Sequence, residues 1–284
     1  MEWLLIIPLF IGLVLFGFRV WYKTSGIGPS QKYSSTLVFH NVSDRFDLSV
    51  SNLRRGKFIR LIDWAENSGY HFDTLDKLIA GDSNDDFALR ISFDDGYENF
   101  YRLYRDYIEP RKIPCVLFVT TGYLGKRATW DYKPCPVRHL SLQQLKELSA
   151  SPFLTIGSHS KSHADLTAVE YSQMADEIAG SRKFLEDFLE REVIYFSYPF
   201  GRFNKRVIEQ VKKAGYRAAF CGVPPKFEPG NNLFQIPRIP LNLFDNLFTF
   251  RQKIRPGLFS WIEFSKARVI ELYSGLTFRV RGER

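Results

Sequence analysis

The pattern of apolar and polar positions from residue 35 onward predicts a regular succession of strands and helices. Short apolar runs typical of buried strands occur at 35–40, 87–93, 115–120, 153–156, 193–196 and 217–221. Between these runs apolar residues recur at helical spacing, as Phe58, Leu61, Ile62 and Ala65 do in the first interval. Because strands and helices alternate, the sequence predicts an α/β protein with a parallel sheet, either closed into a barrel or doubly wound.

Polar residues at the expected helix starts add detail to this pattern. Ser141 precedes Gln144 by three residues, and Thr167 precedes Glu170 by three residues. This spacing is the capping-box signature of a helix N-terminus. Asn204 stands before another stretch of helical period, as expected for an N-cap. We therefore expect helices to begin near residues 141, 167 and 204.

The first 34 residues have a different character from the rest of the chain. The run from Trp3 to Tyr22, whose single charge is Arg19, has the length of about 20 residues that spans a bilayer core. Its aromatic ends resemble the belts found at membrane interfaces. We predict a transmembrane anchor over residues 1–23 and a linker over 24–34; a buried soluble helix is the alternative for the anchor.

Charge and cysteine usage narrow the classes of partner. The chain carries a formal net charge of +8, which favours an anionic neighbour such as an acidic polymer or phospholipid headgroups. No arginine-rich block or nucleic-acid motif is present, so we predict no nucleic-acid partner. The three cysteines are widely spaced and predict neither a disulfide framework nor a cysteine metal site.

The predicted domain covers residues 35–245, and a basic extension follows over 246–284. Aromatic residues alternate with lysine and arginine in this extension. Two interpretations are open. The extension either lies on anionic headgroups at a membrane surface, or it contributes a helix and a strand that complete the domain.

Two polar motifs follow predicted strands and carry the chemistry. Asp94 and Asp95 end one apolar run, and His159 and His163 lie four residues apart after another. Taken alone, Asp-Asp-Gly is a common turn and a histidine pair is a common surface feature. The carboxyl ends of parallel strands, however, meet at one rim, where α/β barrels carry their active sites. Together the motifs predict a divalent metal site with a spare carboxylate beside it, the set required for metal-assisted hydrolysis.

The segments 92–96, 159–163 and 197–201 together resemble the first three motifs of the polysaccharide deacetylase family, which shares the NodB homology domain. The resemblance covers residues 35 to 245 and implies a distorted (β/α) barrel that hydrolyses N-acetyl groups of an amino-sugar polysaccharide. It further implies that Asp94 is the catalytic base and that Asp95, His159 and His163 hold the metal. Two imidazoles and one carboxylate suit Zn²⁺, but Co²⁺ or Ni²⁺ would also fit.

The resemblance also implies groups that contact the substrate. Tyr198, Pro199, Phe200 and Gly201 are expected to line the groove, and the backbone N–H of Phe200 matches the oxyanion donor of the family. Many members have Tyr where Phe200 stands, a change that a backbone donor survives. Trp130 is expected to form a platform on which a sugar stacks; core packing is the alternative.

The general acid departs from the common pattern of the family. Many members supply it from a C-terminal Leu-x-His motif, but no histidine follows His163 here. His40, at the end of the first strand, resembles the acid of the circularly permuted poly-N-acetylglucosamine deacetylase branch; a capped core histidine is the alternative. Arg238 also fits that branch and is expected to orient Asp94, although a surface arginine is nearly as consistent. His139 is expected at the surface or in a turn.

The sequence therefore predicts a metal-dependent N-deacetylase of an amino-sugar polysaccharide, with a single-pass membrane anchor. The alternatives are a de-N-acylase of a lipid-linked saccharide and a non-catalytic carbohydrate-binding protein on the same fold. Basic residues after the anchor favour a cytoplasmic domain, whereas similarity to polysaccharide-acting enzymes favours the outside, which we prefer. The sugar, its linkage and the oligomeric state stay open.

Overall fold

A computed structural model describes residues 35–45, 49–82, 85–127, 137–222 and 232–255. The predicted anchor (1–23), the linker (24–34), Trp130 and residues 256–284 lie outside these ranges. Within the ranges, no helix combines the length and the apolar character needed to cross a bilayer.

Strands and helices alternate from residue 36 to residue 254. The strands are β1 (Thr36–Phe39), β2 (Asn41–Ser43), β3 (Asn52–Arg54), β4 (His71–Phe72), β5 (Ala88–Phe93), β6 (Cys115–Val119), β7 (Leu154–Ser158), β8 (Tyr195–Ser197), β9 (Ala218–Cys221), β10 (Ile236–Pro237) and β11 (Ile239–Pro240). The α-helices are α1 (Arg55–Asn67), α2 (Leu75–Ala80), α3 (Asn99–Leu103), α4 (Leu142–Ser149), α5 (Tyr171–Ala175), α6 (Ser181–Leu189), α7 (Lys205–Lys213) and α8 (Leu247–Ile254). A π-helical turn over Tyr104–Ile108 extends α3, and another over Asp176–Gly180 joins α5 to α6.

Nine of the described strands form one parallel sheet that is nearly closed into a barrel. Its order is β10-β9-β8-β7-β6-β5-β1-β11, with β4 paired to β5 at the side. Only Arg238 separates β10, which pairs with β9, from β11, which pairs with β1. The segment 236–240 therefore joins both ends of the sheet. This closure confirms the predicted barrel over the doubly wound alternative.

The barrel has an apolar interior that is separate from the layer beneath the helices. Val116, Phe118 and Phe220 belong to the inner cluster, together with Leu75 and Leu78 of α2. Strand residues alternate between two faces, so the apolar runs of the sequence supply both the interior and the larger outer core. Because both faces of these strands are buried, their sequences are continuous apolar runs.

The expected helix starts are confirmed at two of three positions. Ser141 and Gln144 form a complete capping box at the start of α4, and the Asn204 side chain accepts a hydrogen bond from the Val207 N–H at the start of α7. The prediction at Thr167 is wrong because its side chain and backbone N–H both donate to Asp165, at 2.6 and 3.1 Å. The helix begins later, at Tyr171.

Helix α8 occupies the start of the predicted basic extension. Its Phe250 packs edge-on against Trp64 of α1, with ring centroids 6.0 Å apart. Lys253 is buried, pairs with Asp245 at 2.7 Å and donates to the Pro240 carbonyl at 2.8 Å. For residues 246–255, the structure thus agrees with a helix that completes the domain, and this helix lies beyond the predicted boundary at residue 245.

Candidate active site

The predicted site residues meet at the carboxyl ends of the parallel strands. His40 follows β1, Asp94 and Asp95 follow β5, and His159 follows β7. The Asp94 N–H donates to the Phe39 carbonyl at 2.9 Å, which fixes the ends of β1 and β5 side by side. Parallel strands bring residues that are distant in sequence to one rim in this way.

The turn after β5 lets two adjacent carboxylates face the same region. Successive strand residues point to opposite faces, but Asp95 leaves the strand with φ 70°, and Gly96 follows with φ 76°. The Gly96 N–H donates to the Asp94 carbonyl at 2.9 Å and closes the turn. A positive φ at a residue other than glycine is uncommon and occurs often at functional sites.

Asp95, His159 and His163 form a compact buried cluster. Oδ1 of Asp95 lies 3.4 Å from Nε2 of His159 and 3.4 Å from Nε2 of His163. The three donor atoms all lie within 4.8 Å of one another. Two ligands of a tetrahedral Zn²⁺ at the usual bond lengths lie about 3.3 Å apart. The spacing of this cluster therefore fits a divalent metal.

Hydrogen bonding and burial prepare both histidines as ligands. Nδ1 of His159 lies 2.9 Å from the Ser197 carbonyl, a contact that requires the proton on Nδ1 and leaves the lone pair of Nε2 toward Asp95. Burial lowers the pKa of His159 to about 4 and lowers the pKa of His163 well below its usual value. Neutral imidazole is the form that binds metal, so the donor set fits the ion.

Asp94 lies beside this cluster and is fully ionised. Burial alone would raise the pKa of Asp94, but Arg238 and His159 outweigh it and hold this pKa well below the usual value. Nη1 and Nη2 of Arg238 donate to the two carboxylate oxygens, each at 2.7 Å. Ser197 Oγ donates to Oδ2 at 3.1 Å. The contact between Arg238 and Asp94 expected from the sequence is thus present, and Arg238 is buried instead of lying at the surface.

His40 lies close to the same charges. Its imidazole influences the pKa of Asp94, His159 and His163, which places it at the rim of the cluster. The residue is half-buried and keeps contact with solvent. This placement suits a group that exchanges protons with a substrate.

The third motif is placed differently from the expectation. Tyr198 is fully buried, and its hydroxyl donates to the Phe234 carbonyl at 3.0 Å, so its side chain does not line a groove. Pro199 is buried as well. Phe200 has φ 58° and packs edge-on against His163, with ring centroids 4.5 Å apart. Gly201 has φ 66° and passes so close to Gly222 that a side chain would clash.

Three residues near the site were not predicted to have a role there. Ser197 contacts both Asp94 and Arg238 and orients His159 through its carbonyl; its place in the third motif was the signal. His139 is buried between Tyr97 and Tyr123, not at the surface. Glu177, on the π-helical turn, contacts the loop between the two histidines, and no local pattern marks it.

A parallel barrel whose carboxyl rim holds a buried Asp-His-His cluster beside a second carboxylate has the architecture of a hydrolase. A family model described as polysaccharide deacetylase matches residues 81–219. The chain belongs to the polysaccharide deacetylase family.

Relatives agree with this assignment. YxkH of Bacillus subtilis (strain 168), provisionally named a polysaccharide deacetylase, is 23% identical over 207 residues, which are 72% of this chain and 69% of the relative. A poly-beta-1,6-N-acetyl-D-glucosamine N-deacetylase of Staphylococcus aureus (strain MRSA252) is 24% identical over 203 residues, 66% of this chain and 67% of the relative. The structure of IcaB from Ammonifex degensii is similar in fold, with a TM-score of 0.64, 22% identity and coverage of 80% of this chain and 96% of that chain.

Proposed function

We propose that this protein is a metal-dependent N-deacetylase of an amino-sugar polysaccharide. As a member of its family it is a hydrolase acting on amide C–N bonds. The observation that carries the proposal is the buried cluster of Asp95, His159 and His163 with the ionised Asp94 beside it. The Staphylococcus aureus relative supports poly-β-1,6-N-acetylglucosamine as the substrate class.

The metal would be held by the cluster on three sides. When bound there, a divalent ion supplies Lewis acidity, which lowers the pKa of a water and polarises a carbonyl oxygen. We propose Zn²⁺, because two neutral imidazoles and one carboxylate are ligands it prefers. The low pKa values of His159 and His163 support this set, since both rings are neutral at neutral pH.

Asp94 is the base that accepts the proton of the attacking water. Its Oδ2 lies 3.9 Å from Nε2 of His159, so the carboxylate borders the cluster without belonging to it. Arg238 keeps Asp94 ionised and fixes its plane through two parallel hydrogen bonds. A carboxylate held in this way needs no reorganisation before it takes the proton.

The backbone of Phe200 and the imidazole of His40 complete the reaction. Phe200 is held against His163 with a positive φ, and its N–H donates to the oxygen that becomes negative when the acetyl carbonyl is attacked. His40 donates a proton to the leaving amine. Histidine suits this role, because its unperturbed pKa of about 6.5 lies near neutral pH.

The decisive experiment measures acetate release from β-1,6-linked N-acetylglucosamine oligomers. We expect activity in the purified protein, loss with a chelator, and recovery when Zn²⁺ is restored. Activity that survives complete metal removal would contradict metal dependence. Acetate released only from a lipid-linked saccharide would favour that substrate, and oligomer binding by the metal-loaded protein without acetate release would support a carbohydrate-binding protein.

We also propose that residues 1–23 anchor the domain at the outer face of the cell membrane. The apolar run over residues 3–22, with Arg19 as its single charge, supports an anchor, and an exported polysaccharide would meet the enzyme outside. A reporter fused after Arg284 that is active only outside the cytoplasm is the expected result. A reporter active only in the cytoplasm would reverse the orientation and agree with the basic residues that follow the anchor.

A further inference from the structure

The loop that connects the two metal-binding histidines has an unfavourable backbone conformation. Ser160 has φ 65° and His163 has φ 61°, both in the left-handed region that side-chain-bearing residues rarely adopt. Such conformations persist only when the surrounding structure imposes them. The loop must therefore be held by contacts from outside itself.

One side of the loop is held through its carbonyl groups. The carbonyls of Ser160 and Lys161 accept hydrogen bonds from the backbone N–H groups of Thr121 and Gly122, at 3.2 and 2.7 Å. A β-carbon at Gly122 would lie 2.6 Å from the Lys161 carbonyl oxygen, so only glycine permits this approach. The turn after β6 thus fixes one edge of the loop.

The opposite side is held by a single buried carboxylate. Oε2 of Glu177 accepts from the N–H groups of Lys161 and Ser162, at 3.0 and 2.8 Å, and Oε1 accepts from the Ser162 hydroxyl. Glu177 is only 4% exposed and makes no ion pair with a side chain among the described residues. Hydrogen bonds to an ionised acceptor are about twice as strong as neutral ones.

We propose that Glu177 is a positioning residue that sets the metal affinity of the site, an inference that rests on the metal centre of the proposed function. With its backbone donors satisfied by Glu177, the loop keeps its positive-φ turns, and the His163 ring stays 3.4 Å from Asp95. Without the carboxylate, the N–H groups of Lys161 and Ser162 lose their acceptor. The loop then relaxes, and His163 Nε2 moves away from the other two donors.

Two substitutions and a matched control test this inference. Glu177→Gln keeps the volume of the side chain but replaces one acceptor oxygen by an N–H₂ group that faces the donor groups of the loop. Glu177→Ala removes every acceptor. Asp176→Asn is the control, because Asp176 is the adjacent carboxylate and contacts Lys161 only through an exposed ion pair at 2.7 Å.

The readout is the affinity for Zn²⁺, measured by competition with a chromophoric chelator, together with the visible absorption spectrum of the Co²⁺-loaded protein. Loss of an outer contact to a metal ligand commonly costs about 10- to 100-fold in affinity. We expect a loss of this size for Glu177→Ala, a smaller loss for Glu177→Gln, an altered Co²⁺ spectrum in both, and parental values for Asp176→Asn.

The outcomes separate this inference from the function on which it rests. Circular dichroism identifies any unfolded variant; if Glu177→Ala does not fold, the Glu177→Gln result alone decides. Parental Zn²⁺ affinity and spectrum in folded Glu177→Gln would overturn the role of Glu177. An equal loss in Asp176→Asn would also overturn it. A parent protein that binds neither ion would instead overturn the metal centre itself.

Discussion

Asp94 is held more tightly than a freely titrating carboxylate would be. Arg238 and Ser197 donate three hydrogen bonds to it between 2.7 and 3.1 Å, and all three side chains are buried. The network fixes the direction in which Asp94 can accept a proton. It also makes the charge of Asp94 necessary for stability, because Arg238 depends on it.

The first prediction separates the base from the metal ligands. Asp94→Asn should bind metal as the parent does but lose turnover by at least ~10²-fold, since proton transfer typically contributes 10² to 10⁴. The buried Arg238 also loses its counter-charge, which should cost up to about 3–5 kcal/mol of stability. Metal analysis, acetate release and urea unfolding measure these effects. Asp95→Asn is the contrast and should lose the metal; near-parental turnover in Asp94→Asn would remove Asp94 from the base role.

The second prediction concerns the proton donor. His40→Ala should slow acetate release by about 10²- to 10⁴-fold and leave metal content unchanged, because His40 lies outside the cluster of Asp95, His159 and His163. His71→Ala is a matched control, since His71 is half-exposed and pairs with Asp85. Parental rates in His40→Ala would assign the acid role to another group.

At the residue scale, the sequence predicted those site residues that lie within local motifs. Asp95, His159 and His163 come together because each lies just after a strand whose carboxyl end meets the same rim. Glu177 could not be predicted, because its role depends on a contact between a helix and a loop that share no sequence pattern. The Tyr198 side chain was expected to line the groove. It is buried instead, because its ring packs inside the protein, and no local sequence pattern indicates this.

At the scale of elements, a capping signature predicted a helix start correctly where the capping side chain had no competing hydrogen-bond partner. The capping box of Ser141 and Gln144 formed as predicted. Thr167 has the same signature, but its hydroxyl and its N–H both donate to Asp165, two residues earlier. Asp165 is itself paired with Arg202 at 2.7 Å, which connects the segment after the second motif to the segment after the third. Competition from the Asp165 carboxylate therefore explains why no helix begins at Thr167.

The third prediction tests an element far from the chemistry. Ser141→Ala should destabilise the protein by about 1 kcal/mol, the typical cost of losing an N-cap, because the Gln144 N–H loses its acceptor at 3.1 Å. Acetate release below the unfolding transition should be unchanged. Chemical denaturation and the deacetylation assay provide the two measurements. A lower specific activity in the folded variant would show that α4 influences the site.

At the scale of the whole molecule, the barrel is completed by a segment that the sequence did not identify as a strand. Residues 236–240 carry two prolines and pair for only two residues on each side, too short for a periodic signal. Strand–helix alternation predicted the parallel sheet but left a barrel and a doubly wound sheet as alternatives. The closure of the sheet was not predictable, because it depends on one chain segment changing partners at Arg238.

The fourth prediction addresses this closure. Lys253 anchors α8 to Asp245 and to the Pro240 carbonyl at the end of β11. Lys253→Ala should cost about 3–5 kcal/mol, since removal of one partner leaves a buried charge unpaired. Asp245→Asn combined with Lys253→Met should recover much of this loss. Urea unfolding of the parent and both variants measures it; a single variant as stable as the parent would exclude a structural role for the pair.

The position of Arg238 has a consequence for the order in which the enzyme becomes active. During synthesis, Asp95, His159 and His163 leave the ribosome before Arg238 does. Strand β1 pairs with β11, which lies in the same late segment, so this neighbour of β1 is also made late. Asp94 therefore gains its guanidinium counter-charge only after the segment 236–240 has been made. One late segment thus supplies both a neighbouring strand for β1 and the partner of the Asp94 carboxylate.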